Sequence, residues 1–433
     1  MPNFRHALDL AIAAGAVDEA TDLGARTIAH FLNQFGRWRE LDAMLKQVEK
    51  LQIKSEKGIT HAEYLWLSQQ GDVLRQQGRA AEAERLFRDL LARLEQGAAY
   101  DAAYDHALVL QYVGHCVAAQ GRPAQAIEWD KRALQEFELL SAMNENAKHM
   151  MGACYCDWAN NLTSIGQFDE AQKCYESALE IAREMKIQRE VGSTLSQLGT
   201  LAMKRGDVAE AAKRYNDALN TFRALNEPQM EAAAWHHLGR VAQEAEDWDE
   251  AERCYREAVR IHEQISNLSG LAESFSQLAL VAQGAGRLED AERWYLRAIE
   301  LGEQLRYYKE LGKWLNNLTN LYLSQRRLDE AARYARRAVE IKETLDLSAE
   351  PWTTYSILAR IAEACSNTEA AEWRRKAQDS FAAFAGAAYQ LPQWAPQVIQ
   401  TTVAAMKGNA EARKYVEGEL PKMEAGGLGF VKK

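Results

Sequence analysis

Proline is scarce in this chain. It has seven prolines in 433 residues, and four of them (Pro351, Pro392, Pro396 and Pro421) fall in the last quarter. No obvious linker therefore interrupts the body of the sequence, which could fill two or three globular domains or one long array. No apolar run approaches the roughly twenty residues that cross a bilayer, and Met1-Pro2-Asn3-Phe4-Arg5 begins no long apolar run. Clustered cations are missing too: the net charge is −10 and the pI is near 5.6. That argues against a nucleic-acid partner, and the absent apolar runs argue against a membrane one. The basic run from Arg333 to Arg337 sits beside acids and reads as a solvated helix face.

The six cysteines are scattered. Cys154 and Cys156 stand one residue apart, which is not a usual metal-ligand spacing. Cys174 and Cys254 read as packing residues, and a reducing cytoplasm is the expected setting. No phosphate-binding Gly-rich loop, Gly-x-Ser-x-Gly elbow, His-Glu-x-x-His helix or Cys-x-x-Cys pair is present. His236-His237 with Arg240 comes nearest to a constellation, but adjacent side chains on a helix point about 100° apart and do not converge on one ion. No catalytic activity, metal or other cofactor is expected.

What the chain does have is repetition. Gln167-Phe168-Asp169-Glu170-Ala171 returns every forty residues, as Asp207–Ala211, Asp247–Ala251, Arg287–Ala291 and Arg327–Ala331. A second Ala follows each marker by seven residues (Ala178, Ala218, Ala258, Ala298, Ala338), and a Tyr usually lies between them (Tyr175, Tyr215, Tyr255, Tyr295). Looser copies end at Leu41, Ala83, Ala126 and Ala371, giving nine marked repeats over roughly residues 20 to 385. Such a period marks a stacked array.

Each repeat reads as a helical hairpin. Leu195, Leu198, Gly199 and Ala202 recur at helical spacing before Arg205-Gly206-Asp207, and Ala211, Tyr215, Ala218, Leu219 and Phe222 do so after it. Gly206 suits a left-handed C-cap, and Asp207 a following N-cap. Small residues are expected to face each other across the hairpin, Gly199 against Ala211 and Gly239 against Ala251. Neither helix hides its stripe alone, so neighbours must stack.

This pattern resembles the tetratricopeptide repeat, whose common unit is about 34 residues. The forty-residue form here is similar to the repeats of kinesin light chain and of bacterial signal-transduction ATPases with numerous domains (STAND). The resemblance implies an all-α, right-handed solenoid of about nine hairpins. It also implies that helix A of each hairpin faces the concave groove. On that register the groove-facing residues include Ser68, Gln69 and Asp72; Gln111, Tyr112 and His115; and Cys156, Asp157 and Asn160. Further on come Ser196, Gln197 and Thr200; His236, His237 and Arg240; Ser276, Gln277 and Leu280; and Lys313, Asn316, Asn317 and Asn320. Trp314-Leu315-Asn316-Asn317-Leu318 looks like the Asn-bearing helix by which related arrays clamp peptide backbones. Donors and acceptors together suit backbone amides. The ligand-binding set is expected to be Asn160, Gln197, Thr200, His236, His237, Arg240, Gln277, Lys313, Asn316, Asn317 and Asn320. The Lys/Arg pattern of chaperone-tail adaptors is not reproduced.

The expected layout has irregular opening helices over 1–36, the array over 37–385, capping helices over 386–425 and a mobile tail over 426–433. The apolar helix from Phe4 to Ala14 is expected to meet a preceding segment or a second copy. Together with Phe31–Trp38, the two ends resemble the sensor region of STAND proteins, whose nucleotide-binding domain is not in this chain. The expected function is a non-catalytic module that binds a protein or peptide in the groove. It would serve as the sensing part of a bacterial, possibly defensive, signalling system, with a nucleotide-binding or effector domain N-terminal to it or in trans. The alternative is a stand-alone scaffold that joins proteins without switching.

Overall fold

The computed structural model describes residues 2–16, 58–345 and 349–388, with isolated positions between 17 and 57. These residues form seventeen helices and no strand beyond one bridge between Ile59 and Ala98. The chain divides into two compact units, Met1–Leu201 and Ala202–Lys433. The N-terminal unit holds α1 (Pro2–Ala13), α2 (His61–Gln76), α3 (Ala80–Gln96), α4 (Ala103–Ala119), α5 (Pro123–Ser141), α6 (Glu145–Ser164) and α7 (Phe168–Glu184). The division falls inside α8 (Gln188–Arg205). The C-terminal unit continues with α9 (Val208–Ala224), α10 (Pro228–Glu244), α11 (Trp248–Gln264), α12 (Leu268–Gly284) and α13 (Leu288–Gln304). It then carries α14 (Tyr308–Ser324), α15 (Leu328–Glu343), α16 (Pro351–Ala364) and α17 (Ala370–Ala388). The fold is thus an all-α solenoid of A–B helix pairs. The repeat marked at Leu41, half of the expected opening segment and nearly all of the expected cap and tail lie outside the described residues.

The turns keep strict time. From Gly166 to Arg326 a left-handed residue occurs every twenty positions: Gly166, Lys186, Gly206, Asn226, Glu246, Ser266, Gly286, Arg306 and Arg326. Each ends a helix in the αL conformation that reverses the chain. The side chains of Asp207 and Asp247 then accept from the backbone N–H of Glu210 and Glu250, which are the N-caps the sequence anticipates.

The core is the repeat pattern made solid. The marker alanines Ala171, Ala211, Ala251, Ala291 and Ala331 are fully buried, and Tyr175, Tyr215, Tyr255 and Tyr295 are nearly so. One expected contact differs. The atoms nearest a Cβ built on Gly239 belong to the Tyr255 ring, at 2.8 Å, rather than to Ala251. Gly71 meets Phe87 in the same way. The aromatic four residues past the marker fills the space the glycine leaves, because a ring reaches farther across the hairpin than a methyl group.

Candidate functional site

In the N-terminal unit the first-helix positions of successive pairs form a polar chain. Arg75 Nη2 donates to Asp72 Oδ1 at 2.7 Å, and its Nη1 reaches His115 Nδ1 at 3.2 Å. A guanidinium only donates, so Nδ1 accepts and the imidazole proton sits on Nε2. That nitrogen donates to Asp157 Oδ2 at 2.7 Å, and Gln111 Nε2 donates to the same oxygen at 2.8 Å. Farther along, Asn160 is exposed and accepts from the Tyr175 hydroxyl at 2.6 Å. Gln197 is exposed, whereas the Thr200 hydroxyl donates to the Ser196 carbonyl of its own helix.

In the C-terminal unit the ridge runs along α10, α12 and α14. His237 stacks on Tyr215 with ring centroids 4.7 Å apart, and His236 meets Tyr255 edge-on at 5.3 Å. The two imidazoles are nearly perpendicular, so they do not converge on one ion. Burial, with the neighbouring Arg240, pushes both down to about 4, which keeps them uncharged at neutral pH. Arg240 is exposed and makes no hydrogen bond or ion pair among the described residues. Gln277 and Asn317 are half-buried, and Lys313 is exposed and bonds Glu310 at 2.8 Å. Asn320 accepts from Arg360 Nη1 at 3.2 Å.

Asn316 stands apart from this set. It is 7% exposed. Its Nδ2 donates to Thr353 and its Oδ1 accepts from Thr354, so both ends of the carboxamide serve the packing of α14 on α16.

Three family models match this sequence. Two describe the tetratricopeptide repeat, over residues 68–139 and 153–185. The third, a MalT-like TPR region, matches residues 197–415, half of the chain. The chain belongs to the MalT-like tetratricopeptide-repeat family. No curated protein matches it in sequence. Among solved structures, this tetratricopeptide array is similar to the apo form of the quorum sensor NprR from B. thuringiensis. That likeness has a TM-score of 0.55 at 15% identity, over 84% of this chain and 99% of the other. Aspartyl phosphate phosphatase F from Bacillus subtilis gives 0.53 at 13% identity, over 78% and 93%. A STAND protein with a tetratricopeptide repeat sensor from Pyrococcus horikoshii gives 0.54 at 15%, over 80% of this chain but only 53% of that one. This chain therefore spans about half the length of that protein. At such identities the likeness is one of fold.

Several features of these tetratricopeptide repeats lay outside the sequence reading. Arg360 joins the ridge. Lys342 on α15 is 2% exposed and donates to the Glu350 carbonyl and the Thr353 hydroxyl. Its stem fills the space above Gly312, where an added Cβ would come within 2.9 Å. The basic run on α15 also lines a cavity of about 660 Å³ between α15, α16 and α17. Arg333, Arg336 and Trp373 face that cavity. Asp329, Glu340 and Glu369 balance its arginines, and Arg337 is paired with Glu303. Among the described residues no group of three potential metal ligands converges, and no helix is long and apolar enough to cross a membrane.

Proposed function

We propose that the chain is a non-catalytic module that binds a protein or peptide segment along its helix-A ridge. The observation that carries this reading is a division of labour between the two helices of each pair. Several charged groups on the second helices are paired within the array. Glu84, Glu252 and Glu292 each bond the arginine that opens the second helix of the next pair, namely Arg122, Arg287 and Arg327. Arg223 and Arg253 flank the Trp235 ring at 4.9 and 5.0 Å. The first helices of the C-terminal unit instead keep uncommitted groups. Arg240 is unpaired, Asn317 makes no hydrogen bond among the described residues, and Gln277 and the neutral His236 lie close by in the register. Amides, imidazoles and an unpaired guanidinium suit the backbone and a carboxylate of an extended segment. In the C-terminal unit Asn320 and Lys313 complete the ridge, His237 shapes it and Asn316 holds α14 in place; Asn160, Gln197 and Thr200 hold the corresponding first-helix positions of the N-terminal unit.

The finer reading is a sensor that reports its ligand to a nucleotide-binding or effector domain, as in a STAND system. Its support is the forty-residue repeat and the fold shared with a STAND sensor. A scaffold that joins two proteins without switching is the second reading. The test is a peptide-display selection on the full chain, counter-selected on the Arg240→Ala/Asn317→Ala double variant. Ridge binding predicts ligands that survive only on the parent. Ligands retained equally by both would end it. Ligand-dependent capture of a nucleotide-binding partner favours the sensor, and simultaneous ligand-independent capture of two proteins favours the scaffold.

A further inference from the structure

Four residues past the marker Ala, the array repeatedly places a buried aromatic: Phe87, Tyr175, Tyr215, Tyr255 and Tyr295. The α15 copy has Ala335, and the α5 copy has Asp130. Asp130 occupies the space the ring would take. It is 1% exposed, and a Cβ on Gly114 would lie 2.9 Å from its Oδ1, as Gly239 lies against Tyr255. Asn161 Nδ2 from α6 donates to Oδ2 at 2.7 Å, while Oδ1 is enclosed with no hydrogen-bond partner. An acid in an aromatic slot breaks the local rule, and such breaks tend to mark functional positions.

The groups around Asp130 belong to every helix packed near it. His115 lies on α4, Asp157 and Cys154 on α6, and Cys174 on α7. On the other side of α4, His106 Nδ1 lies 2.7 Å from Glu136 of α5, and its Nε2 lies 3.8 Å from Glu95 of α3. Arg132 is the cation that opposes it. His61 faces Asp105 at 3.7 Å, and His149 pairs with Glu190. His115 differs in its partners: its Nδ1 accepts from Arg75 and its Nε2 donates to Asp157. In the C-terminal unit His236, His237 and His262 pair with no carboxylate among the described residues.

We propose that the N-terminal unit is a proton-tightened clamp, in which Asp130 and His106 take up protons as pH falls and thereby lock α4, α5 and α6 together. The neutral Asp130 carboxyl fits the enclosed slot beside Asp157, whereas the ionised form sets two carboxylates against each other under the ridge. Protonated His106 gains two carboxylate partners on two helices.

The charge balance agrees with this geometry. Burial pushes Asp130 up to about 7; the Asn161 hydrogen bond opposes this and the Asp157 carboxylate adds to it. The unfolded carboxyl ionises near 3.8, so stability falls as pH rises between these values. The Glu136 hydrogen bond raises His106 against the effect of burial, so its contribution is present below 6.5 and lost as pH rises through the folded value. The C-terminal unit responds the other way. His236 and His237, held down to about 4, lose stability as pH falls below 6.5.

The test is hydrogen exchange on the full chain at pH 8, 7 and 6, with protection factors corrected for intrinsic exchange. A single group titrating near 7 predicts about a tenfold rise in protection across α4–α6 from pH 8 to pH 6, while α10–α12 stays level or falls. Asp130→Asn, a neutral isostere, should hold the high-protection state at pH 8 and flatten most of the profile. His106→Gln should remove part of the rise. A flat or falling α4–α6 profile in the parent would overturn the proposal, and so would a tenfold rise that survives Asp130→Asn. The parent comparison of α4–α6 with α10–α12 decides the matter even if a variant folds poorly.

Discussion

The Tyr255 ring lies directly against Gly239, and a Cβ added to that glycine would sit 2.8 Å from the ring carbons. The ring cannot retreat. It is fully buried, and its hydroxyl donates to Gln243 Oε1. Gly239→Ala is therefore an overpacking change, expected to cost about 1–3 kcal/mol despite the better helix propensity of alanine. Glu250→Gln, on the exposed face of the next helix, is expected to shift stability by no more than about 0.5 kcal/mol. Denaturation midpoints of the two variants measure the contrast. Equal shifts would mean that the close approach of the ring is not where the pair is sensitive.

Neighbouring pairs are joined by Glu292, which accepts from Arg327 at the opening of α15 and from the Tyr322 hydroxyl at 2.8 Å. Glu330 shares the same arginine but lies on its own helix. Glu292→Gln should cost roughly 1–3 kcal/mol, and Glu330→Gln distinctly less. Thermal melts at moderate salt read the difference. The reverse order would show that the joint does not stabilise the stack.

Lys342 supplies a pH dependence of defined sign. Burial lowers its ammonium from 10.5 to about 8, against the pull of Glu350. The unfolded chain keeps its proton longer, so this group alone makes the C-terminal unit gain stability as pH rises through 8 towards 9.5. Lys342→Met keeps the stem over Gly312 and lacks the proton. Stability measured from pH 7.5 to 9.5 should therefore rise more steeply for the parent than for Lys342→Met. Parallel profiles would refute a charged, buried lysine.

Much of this could be read in the sequence, for a physical reason. The marker Ala, the Tyr and the second Ala are core positions seen once per forty residues, so periodicity alone located the hairpins. The turns were half legible. Gly206 announces a left-handed residue, but Glu246 and Arg326 adopt the same conformation with no such sign, because the packed helices on either side impose it. Side-chain partners were least legible. Asn316 and Asn317 are adjacent and chemically identical, yet about 100° of helix rotation turns one onto Thr353 and Thr354 and leaves the other unbonded. His237 carries a polar ring, yet that ring stacks on Tyr215. Nothing in the sequence sets Glu252 apart from the other charges of its helix, yet it holds Arg287 of the next pair. Asp130 broke the aromatic column in plain view, but only its burial gives that break a consequence.

The central claim is that the helix-A ridge of the C-terminal unit takes the ligand, and one calorimetric comparison tests it most directly. A peptide selected on the full chain is titrated into the parent, Asn317→Ala, Arg240→Ala and the second-helix control Arg293→Ala, whose guanidinium bonds Asp290 of its own helix. Losing one desolvated partner costs about 1–3 kcal/mol, so each ridge variant should weaken Kd about tenfold or more with melting temperature unchanged. Arg293→Ala should bind like the parent. Undiminished affinity in both ridge variants, with loss in Arg293→Ala, would place the site on the opposite face and contradict the account.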